Sequence, residues 1–261
     1  MGEIELKCPR LYGMSKDEQY EEQKAFLEHL QPRAGQLPRD HWDGYQEWEP
    51  PGHNEWQRQN TNEPYAEKWE TAISDSETER VRFLKEQLKG KTLIDLGGGV
   101  LAGDSYAKLF GPGPMQSVAE RLGVDTYVNV DAYYLGTYPF TTQEPWVKTK
   151  SLDMDQLKDM NVVYLQADML HFLLGMADST RGVAFAINGI DDNIVPERDY
   201  HRKLAKELAR VLPEGGLVLS SGSDVSQYLS GEGFELAPYD KGSGGLTETW
   251  VKKRSSAGSV N

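Results

Sequence analysis

The stretch Thr92-Leu93-Ile94-Asp95-Leu96-Gly97-Gly98-Gly99 decides how the rest of the 261-residue chain is read. A short apolar run that ends in glycine suits a strand buried on both faces. Glycines at its carboxyl end let a ligand approach the backbone closely. In open α/β sheets, ligands bind at the carboxyl ends of strands where the connections diverge. Asp95, just before the glycines, places a carboxylate there for a positively charged or hydroxyl-bearing group.

Downstream, short apolar runs alternate with helical segments. Strands are expected over residues 126–130, 162–166, 183–187 and 217–220. Between the last two, Pro196 suits the first turn of a helix. Tyr200, Leu204, Leu208 and Val211 stripe one face of it, and Gly215 and Gly216 stop it. Strands and helices alternating at this spacing imply a mostly parallel sheet covered on both faces. Residues 234–237 and 247–252 read as a closing strand pair joined by a Gly-rich loop, which brings the sheet to seven strands.

Upstream the chain is more polar. Ser15 and Glu18 form a capping box for a helix over 16–30 that Pro32 is expected to end. Residues 32–64 are rich in proline and lack periodicity, yet Trp42, Tyr45, Trp48 and Trp56 recur through them. Large aromatics gain chiefly by burial, so this segment is expected to lie on something. Ser76 and Glu79 suggest a second capping box before Val81, Leu84 and Leu88 at helical spacing. The expected division is an extension over 1–74, a main domain over 75–254 and a disordered tail over 255–261.

Charge and composition exclude several classes. The chain has 28 basic and 41 acidic residues, net −13. Wrapping nucleic acid needs a basic footprint, so no nucleic-acid partner is expected. Residues 1–90 carry −7 and residues 91–261 carry −6, so the first third is the more acidic per residue. The lone cysteine, Cys8, lies in a terminus read as mobile; it cannot form an intrachain disulfide and fits a reducing compartment. There is no apolar run of about 18 residues and no signal-type start, so no membrane association and a cytoplasmic location are expected. Oligomeric state is open.

Three further strand ends carry candidate residues: Val128-Asn129-Val130-Asp131, Leu165-Gln166-Ala167-Asp168-Met169, and Phe185-Ala186-Ile187-Asn188-Gly189-Ile190-Asp191. An acid at a strand end also serves as a helix cap or a solvated turn residue. Four such sites in order, with Leu212-Pro213-Glu214-Gly215-Gly216 leading into the fifth strand, resemble the class I S-adenosylmethionine-dependent methyltransferases over about residues 75–225. The resemblance implies a Rossmann-like α/β fold and S-adenosylmethionine as cofactor. It implies that Asp95, Gly97, Gly98 and Gly99 lie by the methionine portion. Asp131, with Ala132, would grip the ribose hydroxyls. Asp168, with Met169, would lie near the adenine amine, and Asn188 and Gly189 beside cofactor and substrate.

Two features depart from the pattern. Val100 and Leu101 follow the glycines, and Asp131 lies 32 positions past Gly99, where about 20 is usual for the related dinucleotide fingerprint. The extra residues include Gly111-Pro112-Gly113-Pro114, a loop signal.

A small-molecule methyl acceptor is the expected partner. Asp191 is the candidate catalytic base, and Trp42, Tyr45, Tyr133, Tyr134, Asp191 and Asp192 are the candidate substrate contacts. The segment 42–69 is a candidate lid, or else a brace that its aromatics pin to the core. Other readings are weaker. Gly97, Gly99 and Ala102 also fit a permissive dinucleotide fingerprint, and so a nicotinamide enzyme, but that leaves Asp168 without a role. A non-catalytic interaction module is a further alternative. No metal is expected: the five histidines lack paired spacing, and Asp191-Asp192-Asn193 suits a turn before the following helix better than Mg²⁺.

Overall fold

Every residue of the strands β4 (Val183–Asn188) and β5 (Leu217–Ser221) is buried, as the centre of a sheet lying between two helical layers requires. The computed structural model describes residues 4–34, 65–75, 78–98, 115–131, 154–188, 198–240 and 247–254. The other strands are β1 (Thr92–Leu96), β2 (Thr126–Asp131), β3 (Asn161–Gln166), β6 (Phe234–Leu236) and β7 (Glu248–Lys252). Their order is β3-β2-β1-β4-β5-β7-β6. The first five are parallel, and β7 runs antiparallel to both β5 and β6. This is an α/β Rossmann-like fold with a mostly parallel seven-stranded sheet. It differs from the all-parallel dinucleotide order 3-2-1-4-5-6 by the antiparallel β7 beside β5.

The helices follow the sequence periodicities with small shifts. They are α1 (Lys16–Ala34), α2 (Tyr65–Ala72), α3 (Glu79–Leu88), α4 (Gln116–Arg121), α5 (Met169–Gly175), α6 (Arg198–Val211) and α7 (Ser226–Leu229). The whole stripe Tyr200, Leu204, Leu208 and Val211 of α6 is buried. At α1 the capping box closes as expected: the Ser15 amide and hydroxyl both donate to Glu18 Oε2 at 2.7 Å. Pro32 does not end this helix, which continues to Ala34. Proline's missing N–H and its crowding of the carbonyl four residues back act on the turn before it, and its φ does not bar helical backbone in the two residues after it. The cap of α3 is Thr78, whose hydroxyl accepts from the Val81 amide at 3.3 Å, and not Ser76. Ser76 itself lies outside the described residues.

The amino-terminal residues are tied down, contrary to the reading of a mobile terminus. Glu5 forms a parallel bridge with Arg181, and the Arg181 amide donates to Ile4 O at 2.8 Å. Arg10 pairs with Asp125. Asn161, at the start of β3, donates to Pro9 O at 2.7 Å and accepts from the Leu11 amide at 3.1 Å. Cys8 packs against the core, and burial pushes its thiol up to about 12. From there α1 lies along β3, the edge strand. The buried Gln23 side chain accepts the outward Tyr164 amide at 2.9 Å. An unpaired edge is a template for unwanted strand addition, and this contact blunts it.

One continuous core joins the extension to the sheet: Leu11, Phe26, Leu27 and Leu30, together with Trp69 and Ile73 of the second segment, pack into it. Where α1 crosses α5, a Cβ on Gly175 would stand 2.1 Å from the Leu30 carbonyl oxygen. Backbone cannot yield as a flexible side chain can. Among the described residues, no helix is long and apolar enough to cross a membrane. Gly175→Ala is therefore expected to lower stability by about 1–3 kcal/mol, seen as a lower urea midpoint with an unchanged slope. A midpoint equal to the parent's would show that α1 does not sit this close to α5 in solution.

Candidate functional site

The crossover from β1 leads toward β2 on one side, and that from β4 leads toward β5 on the other. β1 and β4 are neighbours, in register through Leu96 and Ile187. Their carboxyl ends therefore flank the point where the sheet's connections diverge, which is where open α/β sheets form a ligand crevice. Gly97 and Asn188 are the residues that border it.

The turn after β1 is built around a buried carboxylate. Asp95 is 0% exposed, and the Tyr127 hydroxyl on β2 donates to its Oδ2 at 2.7 Å. Burial, and then the charge of Asp95, push the Tyr127 hydroxyl well above its ordinary range, so it remains a donor. Gly97 turns the chain with φ of +70°, a conformation that favours glycine. Its amide donates to Val130 O at 2.8 Å, which ties the turn to the end of β2. Gly98 then passes so close to Asp95 that a Cβ would stand 2.6 Å from Oδ2 and 2.9 Å from Asn129 Nδ2. The hydroxyl-bearing group that meets Asp95 is thus one of the chain's own.

The second carboxylate is held in the same way. Asp168 caps α5, its Oδ1 accepting from the His171 amide at 2.9 Å. The Tyr200 hydroxyl of α6 donates to Oδ2 at 2.8 Å. This is the helix-cap role that the sequence also allowed, and it places the buried Met169 at the head of α5. Asp131 ends β2 opposite Gln166 of β3; its side chain lies outside the described atoms.

Asn188 ends β4 opposite Ser221 of β5 and is 6% exposed. Its Oδ1 accepts from the indole N–H of Trp69, at 3.1 Å, and its Nδ2 is buried with no hydrogen-bond partner among the described residues. Trp69 is fully buried. It carries the Arg80 guanidinium 4.9 Å from its ring centroid. Arg80 in turn pairs with Asp240 at 3.4 Å and donates to Thr247 O at 3.2 Å. The helix that bears Trp69 is fastened on its other side by the Ser117 hydroxyl, which donates to Glu70 at 2.5 Å.

Of the residues expected from sequence, the fold brings Asp95, Gly97, Gly98 and Asn188 together at the switch point. Asp131, Asp168 and Met169 stand at the ends of β2 and β3. Gly99, Ala132, Tyr133, Tyr134, Gly189, Asp191, Asp192, Trp42 and Tyr45 lie outside the described residues. Sequence reasoning missed Tyr127 and Tyr200, the donors to the two carboxylates, and the role of Trp69. One signal was present: a tyrosine in an otherwise apolar strand or stripe must find a partner for its hydroxyl when buried. A depression of about 410 Å³ lined by Lys89, Glu120, Asp125 and Asp159 lies at the opposite, amino ends of the strands.

No protein-family model matches the chain, and no curated protein matches it. Solved structures do. One is a TehB-like SAM-dependent methyltransferase from Corynebacterium glutamicum, 15% identical, covering 72% of this chain and 96% of that one with a TM-score of 0.36. Another is phosphoethanolamine N-methyltransferase 2 of Haemonchus contortus in complex with S-adenosyl-L-methionine, 12% identical, covering 70% and 45% with a TM-score of 0.36. A third is the aminoglycoside resistance methyltransferase NpmB1, 12% identical, covering 67% and 93% with a TM-score of 0.35. All three are described as methyltransferases.

Proposed function

We propose that the chain is an S-adenosylmethionine-dependent methyltransferase acting on a small molecule. The observation that carries this reading is the Asp95-Gly97-Gly98 turn at the switch point of a sheet whose β7 is antiparallel. The residues present suit the cofactor. The left-handed Gly97 turn follows the end of β1, and Asn188, whose buried Nδ2 has no partner among the described residues, ends the neighbouring β4. Bound there, the cofactor would supply an electrophilic methyl group open to in-line attack by the acceptor's lone pair, with its thioether as the leaving group.

In this reading Gly97, Gly98 and Gly99 carry the methionine portion, while Asp131, with Ala132 beside it, accepts both ribose hydroxyls as a bidentate pair. Each Asp168 oxygen has a second lone pair, so capping α5 is compatible with a contact to the adenine amine over Met169. Asp191 takes the proton released by the acceptor. Trp42, Tyr45, Tyr133, Tyr134 and Asp192 form the acceptor side, and Gly189 lets the two ligands meet. The protein's contribution is orientation and exclusion of water. The acidity concentrated in residues 1–90 favours a neutral or cationic acceptor over a polyanion.

Calorimetry tests the cofactor reading directly. S-adenosylhomocysteine is expected to bind with micromolar affinity, and Gly97→Arg and Gly98→Ala to abolish or strongly weaken that binding while the far-ultraviolet spectrum stays folded. No heat at high ligand concentration would sink the reading. Tyr127→Phe separates support from contact: it is expected to lower stability by about 1–3 kcal/mol, because Asp95 stays buried after losing a donor. An unchanged melting temperature would show that the Tyr127 hydroxyl does not hold Asp95.

A further inference from the structure

The indole N–H can only donate, so Trp69 settles which way the Asn188 amide faces. Oδ1 is the atom it meets. The NH₂ group therefore points away from Trp69, and it is buried without a partner among the described residues. A buried donor left unmade costs about 1–3 kcal/mol, so the arrangement makes physical sense if something supplies an acceptor. No rotation of the amide relieves it, because exchanging the two atoms would set the NH₂ against the indole N–H.

The orientation is reinforced from behind. The Arg80 cation on the indole face draws electron density from the ring, which makes the N–H a stronger donor. Arg80 is itself fixed by Asp240 and the Thr247 carbonyl. A chain of contacts thus runs from the β6–β7 end of the sheet through α3 and α2 to the end of β4.

We propose that Trp69 is a positioning residue that holds Asn188 as a hydrogen-bond donor toward the reacting end of the cofactor. The site then takes a neutral acceptor that presents an oxygen lone pair there, and rejects a protonated amine. This rests on the proposed methyltransferase reading and narrows it. An ammonium at that position would meet the Nδ2 hydrogens head on, donor against donor. The extension is accordingly part of the site's chemistry as well as its support.

Two cofactor analogues probe this without knowledge of the acceptor. Sinefungin carries an ammonium where the sulfonium methyl stands, and S-adenosylhomocysteine carries nothing there. Calorimetry on the full chain should show S-adenosylhomocysteine bound the more tightly, by about tenfold or more. Asn188→Asp keeps an acceptor for Trp69 and turns a second oxygen toward the ligand, so it should erase or reverse that preference. Trp69→Phe keeps the ring over Arg80 and frees the amide to turn, so it should narrow the preference with S-adenosylhomocysteine affinity retained. A role for Trp69 in packing alone would weaken both ligands equally. If Trp69→Phe does not fold, Asn188→Asp decides. A preference unchanged in Asn188→Asp, or sinefungin favoured by the parent, overturns the proposal and leaves the cofactor reading standing. Failure of the parent to bind S-adenosylhomocysteine overturns both.

Discussion

A carboxylate with no exposed surface sits at the end of the first strand, and the centre of the molecule is arranged around it. Water cannot solvate Asp95, so the chain must. Tyr127 supplies a hydroxyl from the neighbouring strand, and the close pass of Gly98 leaves no room for a side chain on that side. Because Tyr127 lies on β2 and Gly97 bonds Val130 of the same strand, the contacts fix the ends of β1 and β2 relative to each other. The glycine turn at the switch point is held by that fixation. Asp168 repeats the device between β3 and α6, with Tyr200 as donor. Both acids thus shape backbone at strand ends, where their own chain already engages them.

The amino-terminal extension is bound to this frame by two different kinds of contact. Residues 4–34 close the amino ends of the strands and cover the β3 edge through polar contacts to Arg181, Asn161 and Tyr164. The helix containing Trp69 instead reaches the carboxyl end of β4, through the Trp69–Asn188 hydrogen bond. One extension therefore makes contacts at opposite ends of the sheet. The expected alternatives, a lid or a brace, are not exclusive for Trp69: its ring is buried in the core while its N–H touches Asn188.

The strands were readable because burial on both faces leaves short, continuous apolar runs, as in Val183-Ala184-Phe185-Ala186-Ile187. The stripe on α6 was readable because one face of a helix repeats about every 3.6 residues. Boundaries were less so. Pro32 reads as a stop from its missing N–H, yet its φ lets α1 run on to Ala34. At α3 both Ser76 and Thr78 are cap-forming residues, and which one closes the helix depends on where the chain leaves the preceding turn. Asp168 was visible as a strand-end acid, but cap and ligand contact draw on the same residue type at the same place.

The amino-acid sequence by itself determined the alternation of strands and helices, the glycine turn after Asp95 and the acids at successive strand ends. Each of these depends on neighbours a few residues apart, so local spacing records it. Only the tertiary structure decided that Tyr127 holds Asp95 across 32 positions and Tyr200 holds Asp168 across 32. It also decided that Trp69 faces Asn188 across 119. Such pairings follow from strand register and helix docking, which bring together groups whose separation along the chain carries no periodic signal. The direction of the Asn188 amide is the clearest case: the residue is legible at the end of β4, but which way its oxygen faces is set by an indole from another segment.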